Sequence, residues 1–320
     1  MIGVNAPVFG KVVTAMVTPF KDDMSIDYKA VGTIVEHLIN NGTSAIVVAG
    51  TTGESPTLET EEKRNLLRVV VASAAGKAKV IAGAGSNSTA QTIENCKRAQ
   101  EIGADGLLLV APYYNKPSQQ GLVAHFETVM RSVTVPTMLY NIPGRTGVNI
   151  NVETVIEIAS HCPQVHAIKD STGSIDQAGE IAGRIKQDFR IYSGDDNMTL
   201  PFLSVGACGV VSVASHIVGK QILSMIDSFF SGDHAKARYL HYEYLPLFKG
   251  LFLAPNPACI KYVMSKLGMC EQHLRLPLVG PEKSQLEALD RLIAGLKLAG
   301  SSAASVSQNM SPSSTSGPGR

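Results

Sequence analysis

The chain has 320 residues, 44% of them hydrophobic, enough apolar material to bury a large core in one big domain or two modest ones, and this excludes a disordered chain. Its 28 basic and 27 acidic residues leave a formal net charge of +1, with no Lys/Arg cluster to neutralise a phosphate backbone, so nucleic acid is not expected as a partner. Five widely spaced cysteines, Cys96, Cys162, Cys208, Cys259 and Cys270, include no CxxC pair, which argues against a disulfide framework or zinc knuckle and for a reducing cytoplasm.

The N-terminal MIGVNAPVFGK has no charged region followed by a long apolar core, and no later run reaches the length of a membrane span, so a soluble protein is expected. Strand-length apolar runs then recur. Val12–Val17 comes first, and Ala45–Val48 follows and ends in GTTGES at 50 to 55. Glu61 to Ala75 has helical periodicity, with Leu66, Leu67, Val70 and Val71 on one side. Val80–Ala82 leads into GAGSNS, which lacks the third glycine of a dinucleotide fingerprint, and NAD is discounted. Gly106–Val110 runs into Pro112-Tyr113-Tyr114-Asn115, Thr137–Tyr140 into Asn141, and Val165–Ile168 into Lys169-Asp170. Arg190–Tyr192 precedes Ser193-Gly194-Asp195-Asp196, and Gly209–Val213 completes the series.

Eight strands alternating with helices, one unit every roughly 20 to 35 residues, predict a parallel α/β protein and most naturally a (βα)8 TIM barrel. A doubly wound open sheet is the competitor. That sheet would bind its ligand at one switch point, whereas here strand after strand ends in small polar or reactive groups, as around a barrel mouth. Three further helices are expected near His234–Lys249, Pro257–Leu267 and Pro281–Leu298. The domain reading is therefore a barrel at 1–232, a C-terminal helical appendix at 233–300, and a disordered Ser-rich tail at 301–320.

Lys169 is the most informative residue. An ordinary lysine is a neutral amine in only about one molecule in a few thousand at pH 7, and desolvation that lowers a lysine pKa by about three units costs about 4 kcal/mol. Such a cost makes sense where an amine does chemistry, and the chemistry open to it is a Schiff base with a carbonyl substrate. Taken alone, the lysine reads more simply as a salt bridge to Asp170 or a nearby loop. Its surroundings change the balance. Tyr140 ends the preceding strand, the expected barrel neighbour, where a phenol can shuttle protons, and Thr51 and Tyr114 could extend a hydroxyl relay. Thr51 and Thr52 of GTTGES offer hydroxyls and amides for a carboxylate, although a turn-and-cap role explains that loop equally well. Asp195-Asp196 reads as a helix cap rather than a metal site, the eight histidines show no HxxH or HExxH pattern, and no metal is expected. A non-covalent binding barrel that uses GVVSVASH at 209–216 as a phosphate loop remains open.

GTTGES, PYYNKPS, LYNIPGRTG and AIKDSTG, each at a strand end, resemble the dihydrodipicolinate synthase and N-acetylneuraminate lyase superfamily of class I aldolases. SGDD at 193–196, GVVSVASH and APNP at 254–257 extend the likeness over about residues 9 to 298. The resemblance implies a lysine Schiff base on Lys169, with Tyr140, Thr51 and Tyr114 as proton relay. It also implies a pyruvate carboxylate held by Thr51 and Thr52, Val211 as a further substrate-binding residue, and no cofactor. Arg145 points to the synthase branch, whose second substrate is L-aspartate-4-semialdehyde bound through its carboxylate; a sugar-acid lyase is the nearest rival. Tyr114 in this family reaches the neighbouring subunit, which implies a homotetramer built as a dimer of dimers. Two departures stand out. Asp170-Ser171 replaces the usual Glu-Ala, and Lys63 and Gln91 stand where lysine-inhibited members carry His and Glu, although Ser55, Asn87 and Tyr113 still fit. Weak or absent inhibition by lysine is therefore expected.

Overall fold

A computed structural model of the chain describes residues 8–185 and 188–296. Eight strands close a parallel barrel in sequence order: β1 (Val12–Ala15), β2 (Ala45–Val48), β3 (Lys79–Gly83), β4 (Gly106–Val110), β5 (Thr137–Asn141), β6 (Val165–Asp170), β7 (Arg190–Ser193) and β8 (Gly209–Ser212), with β8 pairing back onto β1. The fold is the expected (βα)8 TIM barrel with a C-terminal helical appendix.

The strands read as unbroken apolar runs because both of their faces are buried. Alternate side chains divide into two clusters. Val13, Val47, Ile81, Leu108, Met138, Tyr140, Ala167, Tyr192 and Val211 fill the barrel, whereas Val12, Ile46, Val80, Leu107, Leu139, Ile168 and Val210 pack outward under the helices. The helix Tyr28–Asn40 covers this outer layer with Val31, Ile34, Val35 and Leu38, and Asp27 caps its first turn. The helix Thr60–Ala74 buries Leu66, Leu67, Val70 and Ala74 behind a Glu59/Glu62 capping box, leaving Val71 half-buried.

The strand that carries the lysine is longer than the sequence suggested. β6 runs through Lys169 and Asp170 because neighbours on both sides continue the ladder: Tyr140 and Tyr192 flank Lys169, and Asn141 and Ser193 flank Asp170. Charged side chains at the end of an apolar run look like a strand terminus in sequence, yet a barrel mouth can host them in register. The β7 loop then closes over this end. Gly194 donates its amide to the Asp170 carbonyl at 2.7 Å, and a Cβ there would fall 1.8 Å from Ser171 Oγ, so a side chain at this position would have to push the Ser171 hydroxyl aside.

After the eighth unit come the helices His234–Gly250, Ala258–Lys266 and Lys283–Gly295. Tyr262 donates to Asp290 at 2.8 Å to join the last two, and Leu292 sits where Gly250 leaves no side chain. The expected tail at 301–320, and residues 297 and 298 of the last expected helix, lie outside the described residues. No described helix is long and apolar enough to cross a membrane.

Candidate active site

Lys169 shares the inner face of β6 with Ala167, while Asp170 turns to the opposite face. This alternation separates the two charges that adjacency in sequence seemed to pair. Lys169 is 7% exposed and makes no ion pair among the described residues; its Nζ lies 4.2 Å from the centroid of the Tyr140 ring on the adjoining strand. Asp170 instead accepts from the Thr172 amide at 2.8 Å and the Thr172 hydroxyl at 2.6 Å, opening the turn into the next helix. Burial raises its carboxyl above the usual range, against those two bonds.

The GTTGES loop is held on strained backbone. Ala49 and Glu54, on either side of the Thr51-Thr52 pair, take positive φ values of 53° and 54°, a conformation that side-chain-bearing residues keep only when the surroundings enforce it. The surroundings are the C-terminal appendix. Lys261 and Glu54 are both fully buried and bond at 2.5 Å; Lys261 also donates to the His273 carbonyl, and the Arg275 amide donates to the other Glu54 oxygen at 3.0 Å. Arg275 continues the clamp to Glu62 and to the Met24 and Thr57 carbonyls. Asn256 donates to Thr52 Oγ1 at 2.9 Å. Neither Lys261 nor Asn256 figured among the sequence-predicted site residues. Each lies more than 200 positions from its partner, and APNP was the only signal near them.

Arg145 sits on the short helix Pro143–Thr146 after β5. Asn141 knots this loop through bonds with Asn149 and with the amide and carbonyl of Ile150, and Thr146 Oγ1 bonds the Ile142 and Val148 carbonyls. The guanidinium is exposed, without an ion pair among the described residues. Thr51, Tyr140, Arg145 and Tyr113 line a cavity of about 430 Å³ that also includes Lys63 and Gln91; Lys169, Thr52 and Val211 are not among its lining residues, and Lys169 lies behind the Tyr140 ring that it contacts. Val211 is buried on the inner face of β8. Tyr114 stands apart, 88% exposed with φ 72°, and no hydrogen bond joins Thr51, Tyr140 and Tyr114. The structure thus gathers Lys169, Tyr140, Thr51, Thr52, Arg145 and Val211 at one end of the barrel and leaves Tyr114 pointing to solvent.

Asp195 takes the expected N-cap position, before the short 3-10 helix Asp196–Met198, but without a side-chain capping bond. Burial raises its carboxyl, and the charges of Lys169 and Arg145 pull it back. Asp196 is buried and accepts from Ser212 Oγ at 2.5 Å, Val213 N at 3.0 Å and Ala214 N at 2.9 Å. Three donors already converge at the end of β8, and they outcompete a lone helix amide.

The Dihydrodipicolinate synthetase family model matches residues 8–296. A 4-hydroxy-tetrahydrodipicolinate synthase of Desulforamulus reducens is 48% identical over 290 residues, covering 91% of this chain and 98% of that one. Two solved structures are similar throughout. Dihydrodipicolinate synthase DapA-2 of Bacillus anthracis has a TM-score of 0.88 at 44% identity, and the synthase of Cyanidioschyzon merolae with lysine bound has 0.89 at 45%; each comparison covers 90% of this chain and 98% of the other.

Proposed function

The chain belongs to the dihydrodipicolinate synthetase family, and from that premise we propose that it condenses pyruvate with L-aspartate-4-semialdehyde through a Schiff base on Lys169. The observation that carries the assignment of the nucleophile is the buried Lys169 side chain, without an ion pair among the described residues and set against the Tyr140 ring. The Lys169 amine adds to the pyruvate ketone, and the carbinolamine loses water to give an imine, with Tyr140 moving the protons between nitrogen and oxygen. Thr51 and Tyr114 extend that relay. Thr51 and Thr52 hold the pyruvate carboxylate, and Val211 borders the pyruvate from β8.

Loss of a methyl proton turns the imine into an enamine, whose carbon attacks the aldehyde of the second substrate. Arg145 binds that substrate's carboxylate. The amino group of the adduct then attacks the imine carbon and displaces Lys169, closing the ring of 4-hydroxy-tetrahydrodipicolinate, with one water released per turnover. No cofactor enters these steps.

The exposed, backbone-strained Tyr114 supports a second subunit completing each site, and we place the chain in a homotetramer arranged as a dimer of dimers. The five free thiols suit a reducing cytoplasm. We further propose that lysine inhibits weakly or not at all, because Lys63 and Gln91 line the cavity where a cationic amino acid would need an acceptor. Inhibition by submillimolar lysine would refute that part of the reading.

The phosphate-binding alternative loses its loop, since Asp196 occupies the Val213 and Ala214 amides. Steady-state assay with pyruvate and either L-aspartate-4-semialdehyde or sugar-derived aldehydes tests the proposal. Turnover is expected with the semialdehyde; preference for a sugar aldehyde would favour the lyase.

A further inference from the structure

We infer that Asn256, from the turn between the first two helices of the C-terminal appendix, is a positioning residue for the keto-acid carboxylate, acting by fixing the direction of the Thr52 hydroxyl proton. The inference rests on the proposed role of Thr52 in holding pyruvate.

A threonine hydroxyl has one proton to give and two lone pairs. Asn256 Nδ2 donates to Thr52 Oγ1 at 2.9 Å, with Thr52 3% and Asn256 7% exposed. That bond fills one lone pair and turns the hydroxyl proton away from Asn256. No protein acceptor takes the proton among the described residues, so it is available to an anion at the cradle. A carboxylate is bound well by a donor whose orientation is already set, because no reorientation cost is charged at binding. The adjoining Lys261–Glu54 pair anchors the other end of the same loop, so the appendix fixes both the backbone and the hydroxyl of the cradle.

Reversing the polarity of residue 256 should therefore harm pyruvate binding more than deleting its side chain. In Asn256→Asp the introduced carboxylate would accept the Thr52 proton and present an oxygen lone pair to the substrate. We expect KM for pyruvate to rise at least about tenfold in Asn256→Asp and less in Asn256→Ala, while KM for L-aspartate-4-semialdehyde stays within about twofold. In Asn256→Asp the defect should shrink as pH falls and the introduced carboxyl gains a proton to donate, a response that mere loosening of the loop would not give. In a Thr52→Val background neither substitution should add to the effect.

Melting temperatures identify any variant that fails to fold, and Thr52→Val in the otherwise native chain then decides. A KM for pyruvate unchanged by Thr52→Val, or unchanged by a folded Asn256→Asp, would overturn the inference. Borohydride trapping of wild-type protein with pyruvate separates the two layers: no adduct on Lys169 would sink the catalytic reading itself, whereas a normal adduct with an indifferent Asn256→Asp would sink only the orienting role.

Discussion

A lysine kept 7% exposed without a carboxylate partner costs a fold stability, and the Tyr140 ring face at 4.2 Å returns only about 2 kcal/mol at best. The remainder is expected where an amine must react. Arg145 bears the complementary burden for the second substrate. Arg145→Ala should raise KM for L-aspartate-4-semialdehyde by about tenfold to a few hundredfold, the worth of a charge-assisted hydrogen-bonding pair, while borohydride-trapped imine with pyruvate forms as in wild type. An unchanged condensation rate would count against the assignment. At this level the sequence pointed to the residues that announce themselves locally, an amine, a phenol and two threonines at or just past the ends of apolar runs, and to Arg145 only through the family resemblance. Asn256, Lys261 and the true partners of Asp196 were hidden because their meaning arises only from contacts with distant segments. The side-chain cap expected at Asp195-Asp196 did not form for the same reason, since the donors that Asp196 meets, Ser212 at the end of β8 and Val213 and Ala214 just beyond it, are distant in sequence.

The elements around the mouth are tied together by buried polar groups. The Lys261–Glu54 pair is fully buried, and removing one partner leaves a charge stranded. Lys261→Met should destabilise the chain by about 3–5 kcal/mol, with part of the loss restored by adding Glu54→Gln, as read from urea midpoints; equal midpoints for wild type and Lys261→Met would contradict the clamp. His125 and His216 add a pH dependence. His216 accepts from the Val17 amide and bonds the Val213 carbonyl, and His125 bonds Thr89. Burial lowers the pKa of each from 6.5 to about 4. The unfolded chain therefore binds more protons between these values, so their contribution is complete above pH 6.5 and is lost as pH falls towards 4. The carboxyls of Asp170, Asp195 and Asp196, raised by burial, push in the opposite direction, so the effect is best read as a difference. Lowering pH from 7 to 5 should move the stability of His125→Gln relative to wild type by about 2 kcal/mol in the variant's favour. Strands were legible almost to their ends, because fully buried parallel strands read as apolar runs. Their last residues were not, because at a barrel mouth the ladder continues under polar side chains.

Closure of eight strands brings chemistry from β2, β5, β6 and β8 to one place, and this was legible from the recurrence of polar strand ends. In the sequence, self-association was suggested only by Tyr114. If Tyr114 serves the neighbouring site across a two-fold interface, Lys169→Ala and Tyr114→Ala are complementary defects: in a mixed dimer one site carries both lesions and the other carries none. Co-refolding equal amounts of the two variants should recover about a quarter of wild-type activity, although each variant alone is severely impaired. Recovery no greater than the sum of the separate variants would show that each Tyr114 acts within its own chain, or not at all.

Lys169 is expected to form the covalent bond to pyruvate. The protein is incubated with pyruvate, reduced with borohydride, digested and mapped by mass spectrometry. The expected result is a single reduced pyruvyl adduct on Lys169, absent from Lys169→Ala. An unmodified Lys169, or an adduct on another lysine in its place, would contradict it.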